Sequence, residues 1–369
     1  MSDPAITESA SRKIRVIQPG PMTLIQDRGR TGFQQLGVSV SGAVDVDSLD
    51  LGNRLVGNNL DSAALEIMLG GLEIEFSHDA IFAITGAELV ATLEGVLVSP
   101  GVSYTAHAGS HLAFGMVSNG LRAYVAIAGG VDVPELLGSR STHLASEIGG
   151  INGRSLVEGD VLTIGDILGA PVTGRVSETD ESAAPSAELN IRVVLGPQDD
   201  EFSQSGIDTF LSSTFTVTDQ SNRQGLRLDG PQIESKSGRY DIVSDAVVNG
   251  SIQIPGDGKP IILLADRQTT GGYAKIATVA SVDLPKLGQA SPGTAIIFTA
   301  ISVADAQQLL VDRFERVNAI DLEKSVDSIS VQVDGEEISV GVAENANSQI
   351  AEINGNIYPI SVDEYTPAD

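Results

Sequence analysis

The chain is made of many short apolar runs separated by Gly, Asn-Gly, Asp-Gly or Pro-Gly turns. Examples are LEIEF (72–76), IFAIT (81–85), LVATL (89–93) and VLTIG (161–165). Runs of this length, rich in aliphatic and β-branched residues, are too short for helices and are typical of strands. Because they follow one another without the helical spacers of a parallel α/β sheet, the sequence predicts a mainly β fold with a few helices, arranged as closed barrels.

Changes in composition divide the chain into two β-rich blocks. Residues 1–13 are polar and predict a disordered leader, and residues 170–190 lack apolar periodicity, which is typical of a solvated linker. The blocks are therefore predicted at 14–169 and 191–317. Each contains one segment in which apolar residues recur at helical spacing, at 44–58 and at 304–317.

The acidic segment 318–369 differs from both blocks. It contains two stretches of alternating apolar and polar residues, centred on Asp334-Gly335 and Asn354-Gly355. Asp-Gly and Asn-Gly are the pairs that two-residue hairpin turns prefer. The segment therefore predicts a C-terminal β-hairpin extension.

Composition excludes several classes of function. The net charge of −27 opposes binding to nucleic acid or to an anionic membrane, since both are negatively charged. The chain has no cysteine, so thiol catalysis, disulfides and cysteine-ligated metals are excluded. His107 and His111 flank a glycine turn, where their spacing does not indicate zinc, and no metal site is predicted. Without a signal core or an apolar spanning run, we expect a cytoplasmic protein.

A polar turn at 138–144, GSRSTHL, lies between apolar strands. The guanidinium of Arg140, the hydroxyls of Ser141 and Thr142 and the backbone N–H groups can together bind a carboxylate or phosphoryl anion. An ordinary solvated turn would have the same composition.

Segment 25–45 is similar in kind. Asp27 and Arg30 lie on a glycine turn, and Ser41 and Asp45 precede the first predicted helix, where either can be its N-cap.

A third polar segment leaves the apolar run Ile261–Leu264. Polar residues at the end of a buried strand are typical of a site loop on a rigid scaffold, and a surface hairpin is the alternative. The pair Gly271-Gly272 predicts a turn that folds Lys275 back towards Asp266. The other candidate binding residues of this loop are Arg267, Gln268, Thr269, Thr270 and Tyr273.

Several of these motifs resemble one protein family. They are QDRGRTG (26–32), VSVSGAVD (38–45), ALEIMLGG (64–71), LRAYVAIAGG (121–130), GSRST (138–142) and ADRQTTGGYAKIAT (265–278). Together they resemble the carboxyltransferase subdomain A–B family, whose members are labelled allophanate hydrolase subunit 2, urea amidolyase-related, Kip-type or the 5-oxoprolinase subunit lettered C. The usual Tyr-Pro-Lys after the double glycine is here Tyr273-Ala274-Lys275. The resemblance covers about residues 14–315 and excludes the acidic tail.

The resemblance implies two tandem cyclophilin-like β-barrel domains and a companion subunit similar to carboxyltransferase C–D, also labelled allophanate hydrolase subunit 1. The first function that it implies is a subunit of an ATP-dependent 5-oxoprolinase, with a third lactam-utilisation subunit. Cations and hydroxyls would then bind phosphoryl groups, and a carboxylate would act as base. For catalysis we expect Asp266, Lys275 and Asp27; for substrate or anion binding, Arg30, Ser41, Arg140, Ser141, Thr142, Arg267, Gln268, Thr269, Thr270 and Tyr273.

Two other functions fit the same resemblance. The chain can be half of a biotin-dependent carboxyltransferase acting on urea or a related amide; none of its lysines has the Ala-Met-Lys-Met context of a biotin carrier, so biotin would be on a separate protein. It can also be a regulatory module that antagonises a kinase inhibitor, a function that leaves the polar loops unexplained.

Overall fold

The computed structural model describes residues 12–167 and 186–319, and the backbone of four strands between 327 and 360. Most of the predicted leader and linker therefore lie outside the described residues. At both boundaries the β structure begins earlier than predicted, at Lys13 and at Glu188. The architecture is mainly β with four α-helices in the described residues, which confirms the predicted fold class.

The first unit is a single sheet that curls into a half-barrel. Its nine strands, within residues 12–167, are β1 (Lys13–Pro19), β2 (Met22–Gln26), β3 (Ala64–Met68), β4 (Leu72–Phe76), β5 (Ala80–Leu93), β6 (Val96–Val98), β7 (Ser103–Ala106), β8 (His111–Ile127) and β9 (Val161–Thr163). The long β8 joins the sheet together, because it pairs with β3, β4 and β5. Alternate side chains of these strands point inward and form one apolar core.

One helix, α1 (Val46–Leu55), packs on the outside of this sheet. Asp45 is its N-cap: the Asp45 carboxylate accepts a hydrogen bond from the Ser48 backbone N–H at 3.0 Å. Leu49 and Leu55 are fully buried against Tyr124 and its neighbours on β8. The predicted helix is confirmed, and its cap is Asp45 and not Ser41.

The second unit is a closed seven-stranded barrel with the order β10-β17-β14-β15-β12-β11-β18. Its strands and helices are β10 (Glu188–Leu195), α2 (Gln204–Ser212), β11 (Thr214–Val217), β12 (Gly225–Asp229), β14 (Ser251–Gln253), β15 (Ile261–Leu263), β17 (Lys275–Val279), α3 (Leu284–Gly288), β18 (Ala295–Ala300) and α4 (Val303–Ala319). Strands β13 (Asp241–Ala246) and β16 (Thr270–Tyr273) form a separate two-stranded arm. Buried Asp283 ties the turn before α3 to β10, since it pairs with Arg192 at 2.6 Å and also with Lys286 at 2.8 Å.

The acidic tail forms a meander of four antiparallel strands. They are β19 (Asp327–Val333), β20 (Glu336–Asn345), β21 (Ser348–Ile353) and β22 (Asn356–Ile360). Val333 pairs with Glu336 and Ile353 pairs with Asn356, so both predicted hairpins are present. In the described residues these strands pair only with one another, and β22 approaches β6 of the first unit.

Candidate functional site

The 138–144 loop binds an anion, and that anion is a carboxylate of the same chain. Asp27, just after β2, is buried and accepts hydrogen bonds from the backbone N–H groups of Gly29 (2.8 Å) and Arg140 (2.6 Å). The Ser139 hydroxyl donates to it at 2.7 Å, and the Ser141 hydroxyl donates to the same oxygen. We call these five residues the Asp27 clasp. Both oxygens of Asp27 are engaged, so it is held as a structural acceptor.

The side chain of Arg140 does not take part in the clasp. Its guanidinium pairs with Glu135 at 2.5 Å and with Asp132 at 3.1 Å, in a partly exposed position. Thr142 is buried, and its carbonyl accepts the Ser41 hydroxyl at 3.0 Å. The loop therefore binds Asp27 through backbone and hydroxyl groups, while the Arg140 guanidinium forms ion pairs with a neighbouring acidic loop.

Asp266 lies at the end of β15, as predicted, and is held in a buried ion pair. Arg223 donates to the two oxygens of Asp266 from Nε at 2.8 Å and from Nη2 at 3.1 Å, and the Ser41 hydroxyl donates at 2.8 Å. Arg223 also binds Glu66 of β3 and the Gly42 carbonyl, 2.6 Å away. Burial alone would lower the pKa of Arg223, but the charges of Glu66 and Asp266 outweigh burial and raise it well above its ordinary value.

This ion pair belongs to a buried polar network that joins the two β units. Glu66 also accepts the Tyr124 hydroxyl at 2.7 Å, and Arg122 lies 3.7 Å from it. Burial and the Glu66 charge raise the pKa of Tyr124 well above its ordinary value, so Tyr124 stays a neutral donor. From the second unit, Gln289 donates to Asp45 at 2.6 Å. The units are thus bound to each other by desolvated charges as well as by apolar contacts.

Lys275 does not contact Asp266, which corrects the predicted geometry. Its amine pairs with Asp245 of the β13–β16 arm at 2.7 Å, while its backbone N–H donates to Gln198 at 3.1 Å. The reason is that Gly271 and Gly272 lie within strand β16 and do not form a turn. The chain therefore continues from Thr270 as an extended strand of the arm, and Lys275 follows as the first residue of β17.

Three buried arginines have a donor without a hydrogen-bond acceptor in the described residues. One is Arg122, whose Nε lies 3.7 Å from Glu66; the other two are Arg30 and Arg267. Arg30 is fully buried; its Nη2 donates to the Ser141 carbonyl, and its Nε and Nη1 have no partner. Arg267 donates to Gln34 at 3.2 Å, and its Nε has no partner. Burial lowers the pKa of both arginines, and for Arg30 the charges of Asp27 and Asp266 partly oppose this. Such donors are the groups here that an anion would satisfy.

Ser41 brings these groups together. It hydrogen-bonds Asp266 through its hydroxyl and the Ala265 carbonyl through its backbone N–H, at 3.0 Å. We call the place where these segments meet the junction site; it comprises Arg30, Ser41, Thr142, Asp266 and Arg267.

The other predicted residues lie elsewhere. Gln268 and Tyr273 line a groove on the second barrel, Thr270 is exposed on the arm, and the Thr269 carbonyl accepts the Val247 N–H at 3.1 Å.

Sequence reasoning missed Arg223, Glu66 and Gln253. Glu66 lies within the apolar run ALEIM, where a carboxylate at a buried position signals a buried partner. Arg223 and Gln253 carry no comparable signal.

The described residues include no group of three or more His, Asp or Glu side chains that could hold a metal ion. Among the helices of the described part of the chain, none is long and apolar enough to cross a membrane.

Comparison with known proteins relates this arrangement to enzymes. Residues 36–300 match the model of the carboxyltransferase domain, subdomain A and B. The chain is 38% identical over 305 residues to the 5-oxoprolinase subunit lettered C of Escherichia coli (strain K12), covering 81% of this chain and 95% of that protein. It is 36% identical over 317 residues to the urea amidolyase of Lachancea kluyveri, covering 80% of this chain but 17% of that protein. The structure of K. lactis urea amidolyase is similar with a TM-score of 0.79 and 30% identity, over 94% of this chain and 23% of that one.

Proposed function

Because the chain belongs to the carboxyltransferase subdomain A and B family, we propose that it is one subunit of a heteromeric, ATP-dependent 5-oxoprolinase, which opens the lactam of 5-oxoproline to glutamate. The observation that carries this proposal is coverage: the chain matches 95% of a relative named as a 5-oxoprolinase subunit, but 17% of a urea amidolyase. The chain is therefore similar to the 5-oxoprolinase subunit along nearly the whole of that subunit, and to one part of the urea amidolyase. The proposed complex also contains a companion of the carboxyltransferase C–D type and a third lactam-utilisation subunit.

The reaction requires negative charge to be stabilised on oxygen. A lactam carbonyl resists attack by water because of amide resonance, and phosphorylation of the amide oxygen by ATP would remove that resonance. At the junction site, Arg30 and Arg267 have N–H groups without acceptors in a desolvated setting. A charged hydrogen bond is stronger there than in water. We assign to these arginines the binding of the developing anion.

The two buried aspartates have a positioning role in this proposal. Asp27 fixes the 138–144 loop, and Asp266 fixes Ser41 and the start of the 266–273 loop. Neither has an oxygen free of donors, so a base for water is better sought among side chains of the companion. The Lys275 amine has three N–H donors and gives one of them to Asp245. Two donors remain for a substrate, so Lys275 stays a candidate catalytic residue at the β13–β16 arm.

Reconstitution tests the proposal. The chain is purified with its companion and the third subunit, and ATP hydrolysis dependent on 5-oxoproline is measured together with glutamate formation. We expect both activities to require this chain. Arg267→Met should lower kcat/KM at least about tenfold, or about 1.4 kcal/mol of barrier. Arg15→Met, at an exposed arginine on β1, is the control. Full activity in a complex that lacks this chain would refute the proposal.

A second function is favoured by one observation. The urea amidolyase structure covers 94% of this chain, so the same fold is used in an enzyme named for urea. In that case the complex would be a carboxyltransferase served by biotin on a separate carrier. Urea-dependent ATP hydrolysis that requires a biotin carboxylase and is blocked by avidin would select this function over the first.

A further inference from the structure

A groove of about 200 Å³ on the second barrel has five side-chain amides among its twelve lining residues. Pockets for drug-sized ligands are usually about 300–1,000 Å³, so this groove can admit only a small molecule. Its walls are the β11–β12 connection and the loop between β15 and β16. The amides are those of Gln220, Asn222, Gln224, Gln253 and Gln268.

The groove is built on the same two loops as the buried ion pair. Arg223 and Asp266 point to the network between the units, whereas Asn222, Gln224 and Gln268, next to them in sequence, face the groove. The ion pair therefore fixes the backbone of both walls. Side chains supported in this way are held in a defined arrangement, as a binding site requires.

Gln253, which lines the groove, is 2% exposed, and its side-chain amide forms only long hydrogen bonds. Its Nε2 donates to the Tyr273 carbonyl at 3.4 Å, and its Oε1 accepts from Gln268 at 3.5 Å. Both distances exceed the usual 2.7–3.2 Å of such bonds. A buried amide gains free energy from a better partner, and the partner that matches its donor and acceptor together is another amide.

The Gln253 amide lies directly against Gly271, which has no side chain. A Cβ at this position would overlap Nε2 of Gln253. The Gly271 backbone is not in the left-handed region, so glycine is needed here for space and not for conformation. Gly256 offers a matched control, because its backbone is also not left-handed and a Cβ there would have no heavy atom within 4 Å.

Arg227 lies at the rim of the groove and is exposed. In the described residues its guanidinium forms no salt bridge, although the net charge of the chain is −27. An unpaired guanidinium beside a row of amides can bind a carboxylate on the same ligand.

We infer that this groove binds a small molecule that carries both an amide and a carboxylate, with the amide on Gln253 and the carboxylate on Arg227. The inference rests on the proposed function in one respect: it takes 5-oxoproline, a lactam with a carboxylate, as the ligand to test. It extends that function by giving the substrate a second binding place on the second barrel, apart from the junction site, to which the binding of the developing anion is assigned.

Calorimetric titration of the complex with its companion tests the inference. The probes are 5-oxoproline, 2-pyrrolidinone, which is the lactam without the carboxylate, and proline, which lacks the lactam carbonyl. We expect 5-oxoproline to bind most tightly. Gly271→Ala should weaken its binding at least tenfold, and Gly256→Ala should leave it unchanged. Arg227→Gln should weaken the binding of 5-oxoproline but not that of 2-pyrrolidinone. Arg239→Gln, at another exposed arginine, should weaken the binding of neither.

The outcomes separate this inference from the proposed function. If the complex hydrolyses 5-oxoproline but Gly271→Ala and Arg227→Gln bind it like the wild type, the groove is not the substrate site and the function stands. If the complex does not hydrolyse 5-oxoproline but binds it, and Gly271→Ala abolishes that binding, the groove is a binding site and the proposed function is wrong. Equal weakening of both lactams by Arg227→Gln would overturn the assignment of the carboxylate.

Discussion

Replacing Asp266 by alanine removes one of the two carboxylates that neutralise the buried Arg223. The Asp266 carboxylate accepts from Nε and Nη2 of Arg223 at 2.8 and 3.1 Å, and both residues are about 5% exposed. After the substitution, Arg223 would keep Glu66 and the Gly42 carbonyl, but two of its N–H groups would face an apolar methyl group. Water cannot replace the lost partner at this depth, so the folded state loses stability.

Breaking a buried ion pair by removing one partner typically costs about 3–5 kcal/mol. We expect the lower part of that range, since Glu66 still compensates part of the Arg223 charge. One kcal/mol corresponds to about 2–4 °C in a domain of this size, so a loss of about 3–4 kcal/mol should lower Tm by about 6–16 °C. Differential scanning calorimetry of the full chain measures this shift.

The matched control is Asp229→Ala. Asp229 pairs with Lys259 at 2.5 Å on the surface of the same barrel, where water replaces the partner, and Tm should not move. Asp266→Asn separates structure from chemistry, because it keeps the shape and one acceptor. If Asp266→Ala unfolds at the wild-type temperature, the structural argument is wrong. If Asp266→Asn keeps Tm and abolishes turnover, Asp266 is a reacting group.

Three other perturbations have defined outcomes. Ser141→Ala should destabilise the first unit by about 1–3 kcal/mol, because the buried Asp27 loses a hydroxyl donor. Arg140→Ala keeps the backbone N–H donor and should cost little. Urea unfolding measures both variants, and equal losses of stability would contradict the role of the Asp27 clasp. Burial alone would raise the pKa of Asp283, but hydrogen bonds from its two cationic partners lower it below the ordinary 3.8. The Asp283 carboxylate therefore stabilises the fold above pH 3.8, and this stabilisation is lost as the pH falls through the lowered pKa. The unfolding free energies of wild type and Asp283→Asn should converge in acid. A difference that stays constant with pH would show that the pKa of Asp283 is not lowered by folding. Truncation after Ala319 should leave the main calorimetric transition in place, because the tail strands that the structure describes pair only among themselves, and insoluble protein would show that the tail supports the half-barrel.

Local patterns in the sequence were sufficient to predict individual strands and helices. LEIEF (72–76) is β4 residue for residue, and helix α1 lies within the predicted 44–58. Short apolar runs and turn residues act over a few positions, so the local sequence specifies them. The closure of the β units is less local: two closed barrels were expected, and the first unit is a half-barrel whose long β8 pairs with β3, β4 and β5.

The candidate site was predictable as a set of loops but not as a set of contacts. Each of the loops around Asp27, Ser141 and Asp266 was predicted separately, and their meeting was not predicted from the sequence. Their partners could not be predicted, because Arg223 lies 43 residues before Asp266 in an ordinary polar loop. The error at Gly271 has the same origin: a double glycine usually marks a turn, and here the glycine makes room for Gln253 from another strand.

The buried network between the units bears on how such a chain can be cut and joined during evolution. A gene break in the connection around 168–185 would place Glu66 on one product and Arg223 on the other. Arg223 would keep Asp266 and Glu66 would keep Arg122, but the buried ion pair that joins the two units would be lost. Val44 would likewise be removed from the apolar core of the second barrel, to which it belongs although it comes from the first unit. The two units should therefore be inherited, fused and transferred as one piece, and viable splits or insertions should fall outside residues 12–319.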